Sequence, residues 1–375
     1  MSSSLSAATA AVESMVGGGN YARYASSQKT LIDNLCQRFL TEDKVERMIG
    51  ELPSGEVFRV ADFGAADCKN SADIYRMVMR KCGSRRLHLS VHDLPGNDWE
   101  TARLTCYQLG LRETSSAQYQ VTFIPGSFYS PALPPNSVHL SICCMANHWL
   151  SKEVLQTNNL SLERAFAIHC KEFTSEEEVA SFRDASNKDG VNFLLSRAQE
   201  LVENQGNLIL GNSTRIMENG TEHFTYKAVF EDLSRLMEKW GKTSQGFTLP
   251  CYLRSEQEWL ELFANPEVKE SGLVLKISEL EILENPYWER VFLDQEGGQE
   301  QEKTKERREQ FAREYLKSIW AWAEGTFSRV FGPEGSGRGK EELEEFLKEF
   351  EQGLAENPDR YRRDFSVGYM VIEKI

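Results

Sequence analysis

The strongest constraint on the fold is a unit that recurs along the first two thirds of the chain: a strand-sized apolar run, a polar or glycine stop, then a helical period. Val57–Phe63 (VFRVADF) reads as a strand that stops at Gly64, and SADIYRMVMRKC then places Ile74, Met77 and Val78 on one helical face. Further runs follow at 87–94 (LHLSVHDL), 120–124 (QVTFI) and 137–145 (SVHLSICCM), and Asn207–Leu210 gives another after Gly206. Thr174 with Glu177 suits a capping box for a helix running on towards Glu203. Strands of this kind alternating with helices predict an open α/β sheet.

The remainder reads as mainly helical, with FTYKAVFEDLSRLMEKW, EQEWLELF and the segment around Trp320 and Trp322 carrying apolar residues three and four apart. The stretches at 296–309 and 332–342 are charged or turn-rich connections. The closing DFSVGYMVIEKI reads as a strand that returns antiparallel at the sheet edge, because no helix follows it. Residues 1–14 are small and polar and read as a disordered tail. The expected organisation is an α/β domain over 15–215 with 360–375, and a mainly helical cap over 216–359.

Charge narrows the function classes. Asp plus Glu outnumber Lys plus Arg by 57 to 43, and a net charge of −14 argues against a surface that neutralises phosphates, so no nucleic-acid partner is expected. The apolar runs are far shorter than the roughly 20 residues of a membrane span, which points to a cytoplasmic protein without a membrane partner. The eight cysteines form no CxxC or Cys/His cluster, so buried reduced thiols are expected.

In an open parallel sheet the ligand crevice lies beyond the carboxyl ends of the strands. After the first strand comes Asp62-Phe63-Gly64-Ala65-Ala66-Asp67, with one glycine and no GxGxxG, which disfavours a dinucleotide. Asp93 ends the second strand, where a carboxylate can accept both hydroxyls of a ribose. Pro125-Gly126-Ser127-Phe128-Tyr129 and Asn147-His148-Trp149 follow the next two. Taken singly, such aspartates are more often helix caps or turn residues; their joint order favours a nucleoside without phosphates.

The chain resembles the SABATH family of S-adenosylmethionine-dependent methyltransferases, which methylate small carboxylic acids or ring nitrogens. The resemblance rests on Met15-Val16-Gly17-Gly18-Gly19-Asn20-Tyr21-Ala22 with Gln28, Ala61-Asp62-Phe63-Gly64 with Asn70, and His92-Asp93-Leu94-Pro95-Gly96-Asn97-Asp98. Pro125 to Tyr129 and His148-Trp149-Leu150-Ser151 complete it, with weaker similarity over nearly the whole chain. It implies a Rossmann-like class I methyltransferase sheet, mostly parallel with an antiparallel C-terminal strand, plus a helical cap and a homodimeric assembly. It puts Tyr21, Asp62, Gly64, Asn70, Asp93, Leu94, Ser127, Phe128 and Cys144 around S-adenosylmethionine. Gln28 and Trp149 would hold the reacting carboxylate, and Met145, His148, Ser213, Tyr226, Lys227 and Phe365 would wall its pocket. Departures stand at Val16, Cys68 and Lys69, and Gln245 and Thr248 replace acidic and amide positions where some members hold magnesium, so no metal is expected.

These residues suit a carboxylate acceptor, which is ionised at neutral pH and needs no general base. The expected task is alignment, with neutral donors on Gln28 and Trp149 leaving the oxygen more nucleophilic than an arginine fork would. N-methylation of a small heterocycle and a non-catalytic cofactor-binding relative are the alternatives; the heterocycle would raise the importance of His148. Lys227 reads more simply as a solvated helix residue, and Cys143 and Cys144 as small buried apolar groups.

Overall fold

The computed structural model describes residues 26–158, 160, 168–170, 172, 174–242, 249–293, 302–331 and 338–375, without the side chains at 329 and 338. The expected tail, Tyr21, Gln245 and Thr248 lie outside these residues.

Helices α1 (Ser26–Arg38) and α2 (Glu42–Gly50) precede β1 (Phe58–Phe63), α3 (Ala72–Cys82), β2 (Leu87–Asp93), α4 (Trp99–Gln108), β3 (Tyr119–Pro125) and β4 (Leu140–Cys144). Then come α5 (Lys152–Thr157), α6 (Glu176–Glu200), β5 (Asn207–Ser213) and a hairpin of β6 (Arg215–Glu218) and β7 (Thr221–Phe224). The rest comprises α7 (Lys227–Lys239), α8 (Glu256–Ala264), α9 (Pro266–Glu270), β8 (Leu273–Leu283), α10 (Pro286–Phe292), α11 (Lys305–Phe331), α12 (Arg338–Glu356) and β9 (Phe365–Lys374).

Seven strands form one sheet in the order β3-β2-β1-β4-β5-β9-β8, parallel from β3 to β5, with β9 antiparallel to both neighbours. Strand alternation sorts side chains into two cores. Val60, Leu140, Ile142, Ile209 and Val371 pack on one face with Leu31, Leu35 and Ile74. Ala61, Phe63, Cys143, Leu208, Leu210 and Ile372 pack on the other with Phe193, Leu194 and Trp259. Burial on both faces is why these strands read as nearly continuous apolar runs.

Several expectations are corrected. The capping box of α6 is Ser175 with Glu178, one residue beyond Thr174 and Glu177; Thr174 instead donates to Ile168 and Cys170. The C-terminal strand is antiparallel as expected, but it is not the edge: β8 pairs outside it. β8 and the β6–β7 hairpin lie in the stretch read as helical. β8 escapes a period-two reading because it is half exposed, rich in Lys276, Glu279 and Glu281, and broken by an irregularity between Leu275 and Ile277. Strand order reverses between β1 and β4, so the crevice opens where Gly64, Asp93 and Met145 leave the sheet.

Candidate active site

The first half of the crevice is built from backbone. Asp93 accepts from the Ala66 N–H through Oδ2 and from its neighbour Leu94 through Oδ1, each at 2.7 Å. Asn97 donates to the Ala66 carbonyl at 2.8 Å, closing the turn after β1 onto the turn after β2. Burial pushes the Asp93 carboxyl up to about 6, opposed by those two N–H groups. A carboxylate has four lone-pair sites, so Asp93 keeps room for two further donors.

Gly64 has φ +75°, and a Cβ there would lie 2.3 Å from that of Ala146, so glycine lets the turns after β1 and β4 approach. Ala66 and Cys68 share the left-handed conformation at φ +48° and +64°. Cys68 therefore keeps a glycine-like backbone where the family has glycine. Asp62 is buried beneath this turn, its Oδ2 accepting from the Tyr75 hydroxyl at 2.6 Å, and burial raises its carboxyl. Asn70 and Leu94 are half-buried along the crevice, Ser127 is exposed, and Phe128 is half-buried against Tyr129 and Phe193. Cys144, at the end of β4, is half-buried, and burial holds its thiol well above the usual range. A carboxylate with spare acceptor capacity, a close-packed glycine turn and an aromatic face have the chemistry to hold an adenosine.

Beside this lies a second pocket, lined by Gln28, Met145, His148, Trp149, Ser213, Thr225, Tyr226, Phe230, Leu249, Cys251, Leu253 and Trp322. The structure thus gathers six residues singled out as acceptor contacts from widely spaced segments. Lys227 and Phe365 are not among the lining residues. Lys227 donates to the Glu222 carbonyl at 2.7 Å, and Phe365 is buried edge-on behind the Tyr226 ring at 5.2 Å. The pocket encloses about 40 Å³, well below the roughly 150 Å³ of a cavity that takes benzene, so an aryl ligand enters only if lining side chains swing aside.

The described residues that line the pocket include no Asp, Glu, Lys or Arg. Burial, with help from Arg254, pushes His148 down to about 3, so its imidazole is neutral. Trp149 is half-buried, and its indole N–H has no hydrogen-bond partner among the described residues. The Gln28 carbonyl oxygen is buried without a partner. Two non-glycine residues of the lining, Met145 at φ +54° and Tyr226 at φ +64°, hold left-handed backbone. Met145 N–H donates to the Gly211 carbonyl at 2.7 Å and Tyr226 N–H to that of Asp364 at 2.8 Å, which fixes both.

The Trp149 loop is braced by residues to which sequence reasoning gave no such role. Leu150 N–H donates to the Pro250 carbonyl and Tyr252 N–H to that of His148, both at 2.8 Å, while the Tyr129 hydroxyl donates to the Trp149 carbonyl. Nothing in the linear pattern marks 249–253 or Trp322 as partners of Trp149, because they meet only through the fold. Among the described residues no group of three His, Cys, Asp or Glu side chains could hold a metal ion, and no helix is long and apolar enough to cross a membrane.

Comparison with known proteins agrees. A family described as SAM dependent carboxyl methyltransferase matches residues 11–372. A probable S-adenosylmethionine-dependent methyltransferase of Arabidopsis thaliana is 29% identical over 50% of this chain and 56% of its own length. A probable 7-methylxanthine methyltransferase of Theobroma cacao is 27% identical over 62% of this chain and 68% of its own. The solved structure of a loganic acid methyltransferase with SAH superposes with a TM-score of 0.68, covering 96% of this chain and 98% of that one at 18% identity, which shows a shared fold.

Proposed function

The chain belongs to the SAM-dependent carboxyl methyltransferase family, and from that premise we propose that it esterifies the carboxylate of a small acid held between Gln28 and Trp149. The observation that carries this reading is a pocket of uncharged side chains with an unpaired indole N–H on its wall. S-adenosylmethionine supplies an electrophilic methyl on a sulfonium whose charge is lost as the methyl leaves. Asp93 would accept from the ribose hydroxyls, with Gly64, Asn70, Leu94, Ser127, Phe128 and Cys144 shaping that site; the resemblance adds Tyr21, outside the described residues. Gln28 and Trp149 would orient the acceptor carboxylate in line, a positional effect on the order of 7–11 kcal/mol at its fullest. Met145, His148, Ser213 and Tyr226 would wall the acceptor, and apolar walls exclude water from it.

No base is needed for an ionised acid, and His148, held neutral to about pH 3, is a poor acceptor for a proton from a ring N–H. That favours the acid over the heterocycle. A homodimer is inferred from the resemblance and a cytoplasmic location from the short apolar runs, and light scattering tests the assembly.

The decisive experiment offers benzoate-like acids and xanthine-like heterocycles with labelled S-adenosylmethionine. Label in a base-labile ester is the expected result. Trp149→Ala and Gln28→Ala should stay folded yet lose about 10²-fold in kcat/KM, the scale of one removed oriented donor. Full activity in both variants would remove the assigned tether, and label confined to ring nitrogen would replace the acid by the heterocycle.

A further inference from the structure

The described residues that line the acceptor pocket include no cation, yet one stands directly behind its wall. Arg254 is 2% exposed. Its Nη1 donates to the Asn147 carbonyl at 2.9 Å and to Asn147 Oδ1 at 2.8 Å, and its Nη2 donates to the Ser186 carbonyl at 2.5 Å. The guanidinium lies 4.9 Å from the Trp259 ring centroid, and its Nε has no partner. Gly190 leaves the space: a Cβ there would come within 3.2 Å of Nη2.

Among the described residues no carboxylate lies within ion-pairing distance of this cation, and the nearest acids are engaged elsewhere. Asp189 accepts from Ser151 N–H and Oγ at 2.6 and 2.8 Å. Glu258 is held by Arg215 at 2.6 Å and by the Tyr252 hydroxyl at 2.7 Å. A buried cation held by carbonyl dipoles and an aromatic face, with no ion pair, is costly unless a negative charge completes it. Arg254 stands one residue from the pocket on both sides of its contact, since its neighbour Leu253 and Asn147's neighbour His148 both line the pocket.

We propose that Arg254 is a specificity-determining residue whose charge, transmitted across the Asn147–Trp149 loop, selects an anionic acceptor in a pocket whose direct contacts are all neutral. The inference rests on the acceptor site assigned above and deepens it: the carboxylate is tethered by neutral donors and recognised as an anion from behind. The loop between them has three residues, Asn147 to Trp149, which bounds the separation at about 10 Å, and a unit charge at that range in a medium of effective dielectric about 20 changes affinity by roughly tenfold.

Calorimetry on the complex with S-adenosylhomocysteine at pH 8, with benzoate and its neutral isostere benzamide as probes, tests this without requiring turnover. Arg254→Gln should weaken benzoate about tenfold and leave benzamide within twofold, and Arg254→Lys should retain most of the benzoate affinity. Equal losses for both probes would make Arg254 a loop brace and overturn the proposal, as would a native protein that binds benzoate no more tightly than benzamide. Should Arg254→Gln not fold, Asp189→Asn supplies the opposite sign: removing the nearby anion should tighten benzoate several-fold without affecting benzamide, and unchanged or weaker benzoate binding sinks the idea. If acids are esterified without this charge preference, Arg254 alone is misassigned. If the preference holds and no acid turns over, it is the esterification reading that fails.

Discussion

Two neighbouring loops, 128–133 and 147–149, joined where the Tyr129 hydroxyl donates to the Trp149 carbonyl, are each backed by a buried arginine, and the two are compensated in opposite ways. Behind the donor-side loop, Arg197 is fully buried and meets Glu200 through two hydrogen bonds of 2.8 and 2.9 Å. It also donates to the Phe128 carbonyl at 2.9 Å and lies 3.7 Å above the ring of Phe63 at the end of β1. Glu200 in turn accepts from the N–H groups of Ala132 and Leu133. The pair forms a closed unit that staples the 128–133 loop to the sheet. Behind the acceptor-side loop, Arg254 is equally buried and has no such partner. The difference teaches how charge is arranged: the arginine behind the donor-side loop is neutralised by direct contact with a carboxylate, whereas Arg254 has no carboxylate within ion-pairing distance among the described residues, its neighbour Asp189 being held by Ser151.

Breaking the closed unit gives the largest expected effect. Glu200→Ala strands the Arg197 guanidinium without its carboxylate and orphans two backbone N–H groups, a loss on the order of 3–5 kcal/mol in chemical denaturation. Replacing both partners, Arg197→Met with Glu200→Leu, should recover the share lost to the stranded cation but not that of the two orphaned N–H groups, while loosening the loop and raising the dissociation constant for S-adenosylmethionine. A single variant that costs less than about 1 kcal/mol, the scale of a surface pair, would erase the contrast between the two arginines.

Two carboxyls that burial pushes up to about 6, Asp93 on the donor side and Asp189 on the acceptor side, sharpen the comparison through pH. Ribose hydroxyls donate only to an ionised Asp93, so binding below pH 6 must first expel a proton. The dissociation constant for S-adenosylhomocysteine should therefore rise about fivefold as pH falls from 6 to 5 and be nearly flat above 7. Asp93→Asn should abolish the slope, and Asp189→Asn should leave it. The stability contribution runs the other way. Because the folded-state value is raised, the fold without ligand gives up stability from Asp93 as pH climbs from about 4 through 6. A slope that survives Asp93→Asn would assign the ribose contact to another group.

The donor side was legible because its residues sit at consecutive strand ends, close in sequence and attached to strands whose apolar runs announce themselves. Gly64, Asp93 and Phe128 could be placed by topology alone. The acceptor pocket was legible only through resemblance to a family, since Gln28, Ser213 and Tyr226 meet through the fold and share no spacing. Leu249, Leu253 and Trp322 lay beyond either route, as apolar side chains read as core wherever they fall. Arg197 and Arg254 were hidden by chemistry: arginine in a helix or just before one is usually solvated, and only the surrounding carbonyls reveal that these two are not. The edge strand β8 was missed for the converse reason, its exposed face carrying the charges expected of a helix surface.

The smallest effect is expected at Lys227, and it bears directly on where the acceptor's counter-charge lies. Lys227 begins α7, where a cation gains nothing from the helix dipole, and its ammonium is spent on the Glu222 carbonyl outside the pocket lining. Lys227→Met keeps the aliphatic stem and removes one hydrogen bond, so stability should fall by about 1 kcal/mol at most. The KM for a working acid should change less than twofold, against the roughly tenfold weakening of acid binding set for Arg254→Gln. An acid KM that rises tenfold in Lys227→Met, with kcat unchanged, would move the missing cation from behind the Trp149 loop to the start of α7, and the acceptor side would then be compensated at its rim.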